Sequence, residues 1–290
     1  MRATVVVPAY NALVYVKTCV QALRAQTLPA QLVFVDNGST DGTVEALQSE
    51  PGIELAQESI ASSYAARNRG SKVATGSVLA FMDSDCTPRP DWLEAGLRCL
   101  QSGPDMAAGR VEFSFRDPSS AWEVYDSLFN MDNAASVKQG CAKTANLFVR
   151  REVFERVGPF DERATSGEDV AWTRRAVRAG FRLAYCPDAI VSHPTRGAVE
   201  LIRKALRTGG GALSTTRSRF PKVPSFLLGL AFLCGSFIPP SPGSLKRRLH
   251  AQRPDAGMGL WLRVFLVAYV LKGCRALGLL VRLCGIRVRA

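Results

Sequence analysis

The sequence predicts an α/β fold with a mainly parallel central sheet flanked by helices, followed by a basic, helical C-terminal region. Short apolar runs rich in β-branched residues alternate with segments of helical spacing over the first third of the chain. Net positive charge is confined to the last third.

The first run is Val5-Val6-Val7 and the second Leu32-Val33-Phe34-Val35, and each ends in polar loop residues. Between them, Val16, Val20 and Leu23 recur at helical spacing, which predicts a helix over 14–25. A third run, Val78-Leu79-Ala80-Phe81-Met82, follows a helical segment over 64–74. Strand and helix alternating in this way imply parallel neighbours, and such sheets bind ligands beyond the carboxyl ends of their strands. The loops to inspect are therefore 8–11, 36–43 and 83–90.

At 290 residues the chain can hold one large α/β domain and an appended module. Its 47% hydrophobic and 21% charged content excludes a disordered chain. Met1-Arg2-Ala3-Thr4 leads directly into the first apolar run and reads as a strand, with no signal-peptide pattern, so a cytoplasmic location is expected. The eight cysteines are scattered, with no C-x-x-C pair and no histidine at zinc-ligand spacing, and are expected to be reduced and packed. Residues 1–200 carry 21 Lys+Arg against 24 Asp+Glu, a net of −3. Residues 201–290 carry 16 Lys+Arg against Asp255 alone, a net of +15, and the two parts account for the whole-chain +12. A near-neutral body over 1–200 and a basic region over 201–290 facing an anionic surface follow from that split.

The three loops carry the candidate chemistry. Asp83 and Asp85 sit at i and i+2 just beyond an apolar run, where extended backbone turns both side chains the same way. Two such carboxylates can share a hard cation, Mn²⁺ or Mg²⁺, and a cation so held would neutralise a diphosphate leaving group. The alternative is a solvated loop whose acids cap the helix after Pro88. In the second loop Gly38 permits a tight turn, Ser39 or Asp41 can cap the helix near Thr43, and Asp36 can accept hydrogen bonds from a base. In the first loop, Pro8-Ala9-Tyr10-Asn11, the ring of Tyr10 either stacks on a base or packs inward.

These segments resemble the family 2 glycosyltransferases, which have the GT-A fold. The matching stretches are Val5–Asn11, Val35–Thr43, Ala66-Arg67-Asn68-Arg69-Gly70 and Phe81–Asp85, then Ala145–Arg150, Val157–Glu162, Gly167-Glu168-Asp169 and Ala179-Gly180-Phe181. They occur in the family's order over residues 4–195. The resemblance implies inverting transfer of a sugar from a nucleotide-sugar donor to an acceptor hydroxyl, and so a catalytic domain over 1–200. It places Pro8, Tyr10, Asn11, Asp36 and Arg67 around the nucleotide, Asp83 nearer the ribose and Asp85 on the metal. It makes Asp169 the general base that takes the acceptor's proton, with Glu168 and Asn146 on the acceptor side. A histidine at the place of His193 completes the metal shell in some relatives; a structural histidine is the alternative. Where many relatives have a second aspartate, this chain has Asn37, which can still bond a ribose.

Residues 110–145 are rich in aromatics, Trp122, Tyr125 and Phe129 among them, and either pack as core or face an acceptor. In the basic region, the dense apolar run 226–238 is bracketed by Pro224 and Pro239-Pro240 and spans about 20 Å as helix, short of a bilayer's hydrocarbon core of about 30 Å. A re-entrant or interfacial hairpin is expected there, followed by Lys246-Arg247-Arg248 at headgroup level. Over 258–289, Lys272, Arg275, Arg282 and Arg289 share one arc while Leu266, Val270, Leu277 and Leu280 lie elsewhere. That predicts a helix in a membrane surface with its basic side outward, or a helix packed on the catalytic domain. An anionic membrane and a glycan or glycolipid acceptor are thus the expected partners. Nucleic acid is not, because the cations alternate with aliphatic runs instead of aromatic platforms. A nucleotidyltransferase is disfavoured by the lack of a Gly-rich basic loop in 5–11; a pseudoenzyme that binds donor without turnover is the remaining alternative.

Overall fold

The computed structural model describes residues 1–212, 216, 219–220 and 222–284. The chain divides into two compact units. The first comprises 1–112, 131–164 and 168–193; the second comprises 113–130, 165–167 and 194–290.

The first unit opens with β1 (Ala3–Ala9), α1 (Leu13–Arg24), β2 (Gln31–Asp36), α2 (Thr43–Gln48), β3 (Ile53–Gln57), α3 (Ser63–Val73) and β4 (Val78–Met82). The expected strands and helices fall at these places. Strands β1 to β4 are parallel to one another: β1 pairs β2 and β4, and β2 pairs β3. Then come β5 (Thr87–Pro88), α4 (Trp92–Gln101) and β6 (Met106–Ser114). After α5 (Ala121–Phe129) and α6 (Asn133–Val137) follow β7 (Asn146–Arg150), α7 (Arg151–Val157), α8 (Glu168–Arg178) and β8 (Leu183–Pro194). The sheet order is β3-β2-β1-β4-β7-β6-β8-β5, with β7 antiparallel to both β4 and β6. The parallel half was legible from its apolar runs. The antiparallel half was not, because its strands are short or split between burial and exposure.

Side chains alternate across the sheet as the two-residue period requires. Val5, Val7, Phe34, Ala80 and Met82 face α1 and α4 in one core layer. On the other side, Val6, Leu79 and Phe81 join Tyr64, Phe160 and Trp172. Helix α1 buries Val16, Cys19, Val20 and Leu23, a spacing of three and four that seats one stripe on the sheet.

The second unit gathers α5 with α9 (Ala198–Gly210), α10 (Ser225–Phe237), α11 (Pro242–Gln252) and α12 (Met258–Leu283). Its core holds Val124, Tyr125 and Leu128 of α5, Leu201 and Ala205 of α9, Leu245 and Leu249 of α11, and Val264, Val267 and Leu271 of α12, with Trp122 and Phe129 packed against them. The aromatics of α5 are therefore core residues. The catalytic body expected over 1–200 and the tail over 201–290 are not separated at residue 200, since α5 and residues 194–200 belong with the tail.

Helices α10 and α11 are bent by 75° at the proline cluster, where Pro239 and Pro240 are expected to end a helix. Helix α12 is the one described helix long and apolar enough to cross a membrane, and it forms a candidate membrane-associating element. Its cationic arc is not turned outward. Arg275 donates to the Tyr125 hydroxyl at 3.1 Å, and Lys272 donates to the Ile238 carbonyl at 2.6 Å. The arc coincides with the side that packs, and the leucine side is the exposed one; Arg289 lies outside the described residues.

Candidate active site

The carboxyl ends of β1, β2 and β4 meet as the parallel topology demands. Beyond β1, Tyr10 is 47% exposed, so its ring is not packed inward and is free to stack. Pro8, by contrast, is buried within β1 opposite Val35. Asn11 takes a left-handed backbone with φ 47°, accepts from the Thr40 amide at 2.9 Å, and donates its own amide to Ser39 Oγ at 2.9 Å. Its side-chain carbonyl thereby locks the first loop to the second.

The second loop is organised around its acids. Asp36 accepts from the Gly38 and Ser39 amides at 3.0 and 3.3 Å, closing the tight turn at Gly38 (φ 85°). Asp41 accepts from the Leu13 amide at 3.1 Å and from the amide and hydroxyl of Thr43. Asn37 directs both amide hydrogens to carbonyls, those of Glu58 at 2.9 Å and Ile60 at 2.7 Å. An aspartate could not do this, so the asparagine holds the 58–60 loop and its donors are not spare for a ribose.

Just past β4, Asp83 is paired with Arg67 at 2.5 Å, and Arg67 also donates to the Ser63 carbonyl at 3.2 Å. The guanidinium is almost fully buried and lies 5.8 Å from the Tyr64 ring centroid. Two residues on, Asp85 Oδ2 lies 3.2 Å from His193 Nε2, and His193 is sealed from solvent at the end of β8. With Cys86 these two form the one described cluster of three ligand-bearing side chains close enough to share an ion. Burial pushes the Cys86 thiol well above its usual range, with Asp85 and Asp83 adding to it. The neighbouring Cys19 is pushed up to about 12 by burial and then by Asp85. Asp83 is turned to Arg67 and Asp85 to His193, and only Asp85 belongs to the cluster that could share an ion. The carboxylate oxygen of Asp85 and the imidazole nitrogen of His193 are donors that suit a divalent ion such as Mn²⁺.

The head of α8 gives its two acids different surroundings. Glu168 is buried; its carboxylate accepts from Arg175 at 2.9 Å and from the Asp161 amide at 3.1 Å, which commits it to structure. Asp169 is half-buried, and one oxygen accepts from the Val170 amide at 2.9 Å. The Glu168 amide donates to the Tyr64 hydroxyl at 3.1 Å, so the same tyrosine that lies under Arg67 holds the helix carrying Asp169.

Asn146, expected on the acceptor side, is fully buried. Its carbonyl accepts from Trp92 Nε1, and its amide donates to the carbonyls of Arg110 and Ala189, all at 2.9 Å. No donor remains for a sugar, and the residue binds β6, β7 and β8 together instead. Two contributors escaped sequence reasoning. Asn68 exchanges hydrogen bonds with Phe160, donating to its carbonyl at 2.9 Å and accepting from its amide at 3.0 Å. Tyr64 carries the α8 contact just described. Asn68 was visible inside the Ala-Arg-Asn-Arg-Gly stretch, but its partner lies 92 residues away, and no local pattern announces that.

Residues 4–158 match the profile of glycosyl transferase family 2. The chain belongs to that family. It is 38% identical over 277 residues to glycosyltransferase AglE of Haloferax volcanii, covering 92% of this chain and 91% of that one. It is 30% identical over 246 residues to the pre-mycofactocin glycosyltransferase of Mycobacterium tuberculosis, covering 79% of this chain and 51% of that longer protein. Among solved structures, a mannosyltransferase of Pyrobaculum calidifontis in complex with GDP-Man and Mn²⁺ superposes with a TM-score of 0.67 at 18% identity, over 97% of this chain and 87% of that one. The fold is GT-A-like, and the chain is a nucleotide-sugar-dependent glycosyltransferase.

Proposed function

We propose that this glycosyltransferase moves a sugar from a nucleotide-sugar to an acceptor hydroxyl with inversion, Asp169 acting as general base and Asp85, His193 and Asp83 holding Mn²⁺ or Mg²⁺. The observation that carries the proposal is the grouping of Tyr10, Asp36, the Arg67–Asp83 pair and the Asp85–His193 pair at one end of the parallel strands, linked through Tyr64 to the head of α8. A bound cation would supply charge neutralisation for the departing diphosphate.

The chain's own groups do the rest. Tyr10 offers its exposed ring to the base, and Asp36 faces the same loop with lone pairs beyond those closing its turn. Arg67 holds Asp83 in place through their ion pair, so the carboxylate is positioned for the ribose before the donor arrives. Asp169 is the acid at the head of α8 that solvent and an acceptor can reach, and it removes the hydroxyl proton as the oxygen attacks the anomeric carbon. It lies in the first turn of α8. The oxocarbenium-like character expected of glycosyl transfer needs no second carboxylic acid when the leaving group is a diphosphate. The acceptor is a glycan or glycolipid, and the protein works at the cytoplasmic face of an anionic membrane, in keeping with the apolar, basic tail.

Donor hydrolysis and donor-induced thermal shifts, with and without Mn²⁺, test the assignment. Asp85→Ala should abolish the Mn²⁺-dependent part of the shift, whereas Asp169→Asn should keep the shift and lose about 10²–10⁴-fold in turnover. Equal rates in both variants and the parent would remove these residues from the mechanism.

A further inference from the structure

Helix α12 has the length of a membrane span, but its packing argues against one. Twenty-six residues make about 39 Å of helix, more than the hydrocarbon core of about 30 Å. Along one side Val264, Val267, Ala268, Leu271, Gly278 and Leu279 are buried at spacings of three and four. There the backbones of α9 and α12 touch. A Cβ added at Gly278 would overlap the Leu206 carbonyl, and one added at Gly209 would overlap the Arg275 carbonyl. Reciprocal glycines of this kind let two helices approach as closely as helices can. Helix α9 also takes part in a largely buried ion pair. Its Lys204 lies 3.8 Å from Asp126, a fully buried carboxylate of α5 whose other oxygen accepts from the Arg196 amide at 2.9 Å. Threading α12 through hydrocarbon would carry these charges into it or break the glycine seam, and both are costly.

The opposite side of α12 is open and apolar. Leu262, Leu266, Val270, Leu277 and Leu280 are all exposed. The end of α10 is tied to the same helix, by Lys272 on the Ile238 carbonyl and by Tyr269 donating to the Phe237 carbonyl at 3.4 Å. It adds Phe226, Leu230 and Phe237, each more than half exposed. Cations lie around this surface: Lys246 and Arg247 on α11 and Arg263 on α12 are exposed, and Asp255 is the one acid after residue 200.

We infer that α10 and α12 lie flat in one leaflet of an anionic bilayer, the α12 leucine ridge among the acyl chains and the cations at the headgroups, and that the α9–α12 glycine seam keeps α12 from crossing. Charge complementarity selects the occupant, since a segment with a net of +15 over residues 201–290, with Lys246, Arg247 and Arg263 exposed, repels its own copy and attracts anionic lipid. The inference rests on the membrane-surface reading above and is independent of the catalytic assignment.

Full-length protein carrying a C-terminal peptide tag is added to sealed phosphatidylcholine vesicles with and without phosphatidylglycerol. Binding should require the anionic lipid, weaken with added salt, and leave the tag open to protease added outside. Leu266→Ser with Leu277→Ser should weaken binding about a hundredfold, about tenfold for each leucine side chain withdrawn from the acyl region, with donor hydrolysis unchanged as proof of folding. Strong binding with a tag that becomes cleavable only after detergent would mean that α12 spans, and the inference fails while membrane attachment stands. Absence of binding, with a dimer by light scattering that the leucine changes dissociate, would overturn both.

Discussion

Replacing Asn146 by alanine separates a structural from an acceptor-binding role. The side chain makes three hydrogen bonds of 2.9 Å in a site with no solvent exposure. Each lost bond removes about 1 kcal/mol net, and the Trp92 N–H and two carbonyls stay buried without a partner, so the total cost is about 3–5 kcal/mol. For a domain of this size that lowers Tm by about 10 °C. Asn146→Asp is the sharper variant. One oxygen can still accept from Trp92, but the other faces the carbonyls of Arg110 and Ala189, which repel a carboxylate. Its folded-state pKa is raised, so the destabilisation should be full at neutral pH and ease as pH falls through that raised pKa, where a protonated carboxyl regains one donor. Differential scanning calorimetry at neutral and mildly acidic pH, with kcat and KM for the acceptor on the folded fraction, reads both effects. If Asn146→Ala left Tm within about 1 °C of the parent while raising the acceptor KM, the bracing role would be refuted.

Other outcomes follow from the same geometry. Arg67→Leu removes the partner of Asp83, which stays in partial contact with solvent, and should cost about 1–3 kcal/mol by chemical denaturation, together with weaker donor binding by calorimetry. Asp41 has its pKa lowered by the Thr43 hydroxyl and, less strongly, by the Leu13 and Thr43 amides, with burial opposing. Its contribution to stability is therefore complete above the ordinary carboxylate pKa and fades as pH drops through the lowered folded value; unfolding midpoints of Asp41→Asn and the parent should differ at pH 7 and converge in strong acid.

The parallel half of the sheet and its three loops were readable because β1, β2 and β4 are buried on both faces and so appear as unbroken apolar runs. Asp83, Asp85, His193 and Asp169 were readable as a motif set, although no local pattern could tell that Glu168 is spent on Arg175 or that Asn146 is sealed in the core. Those outcomes depend on partners far away in sequence, such as Trp92 for Asn146. The same limit explains α12: its period marked two sides correctly but not which one another helix would claim, and Gly209 and Gly278 decided that. Helix α5 was ambiguous for a related reason, since aromatic residues suit a core and a sugar-binding face equally well.

The second unit takes its residues from three separate stretches of chain, and that has a consequence for anyone seeking a soluble fragment. Ending the protein at residue 200 would strip α5 of the α11 and α12 residues that cover Val124, Tyr125 and Leu128, and would leave Asp126 without Lys204. The shortened chain would keep every acid named in the chemistry yet carry a raw apolar helix in its middle, and it should precipitate under conditions that keep the intact protein in solution. Removing the tail is therefore not equivalent to removing an anchor.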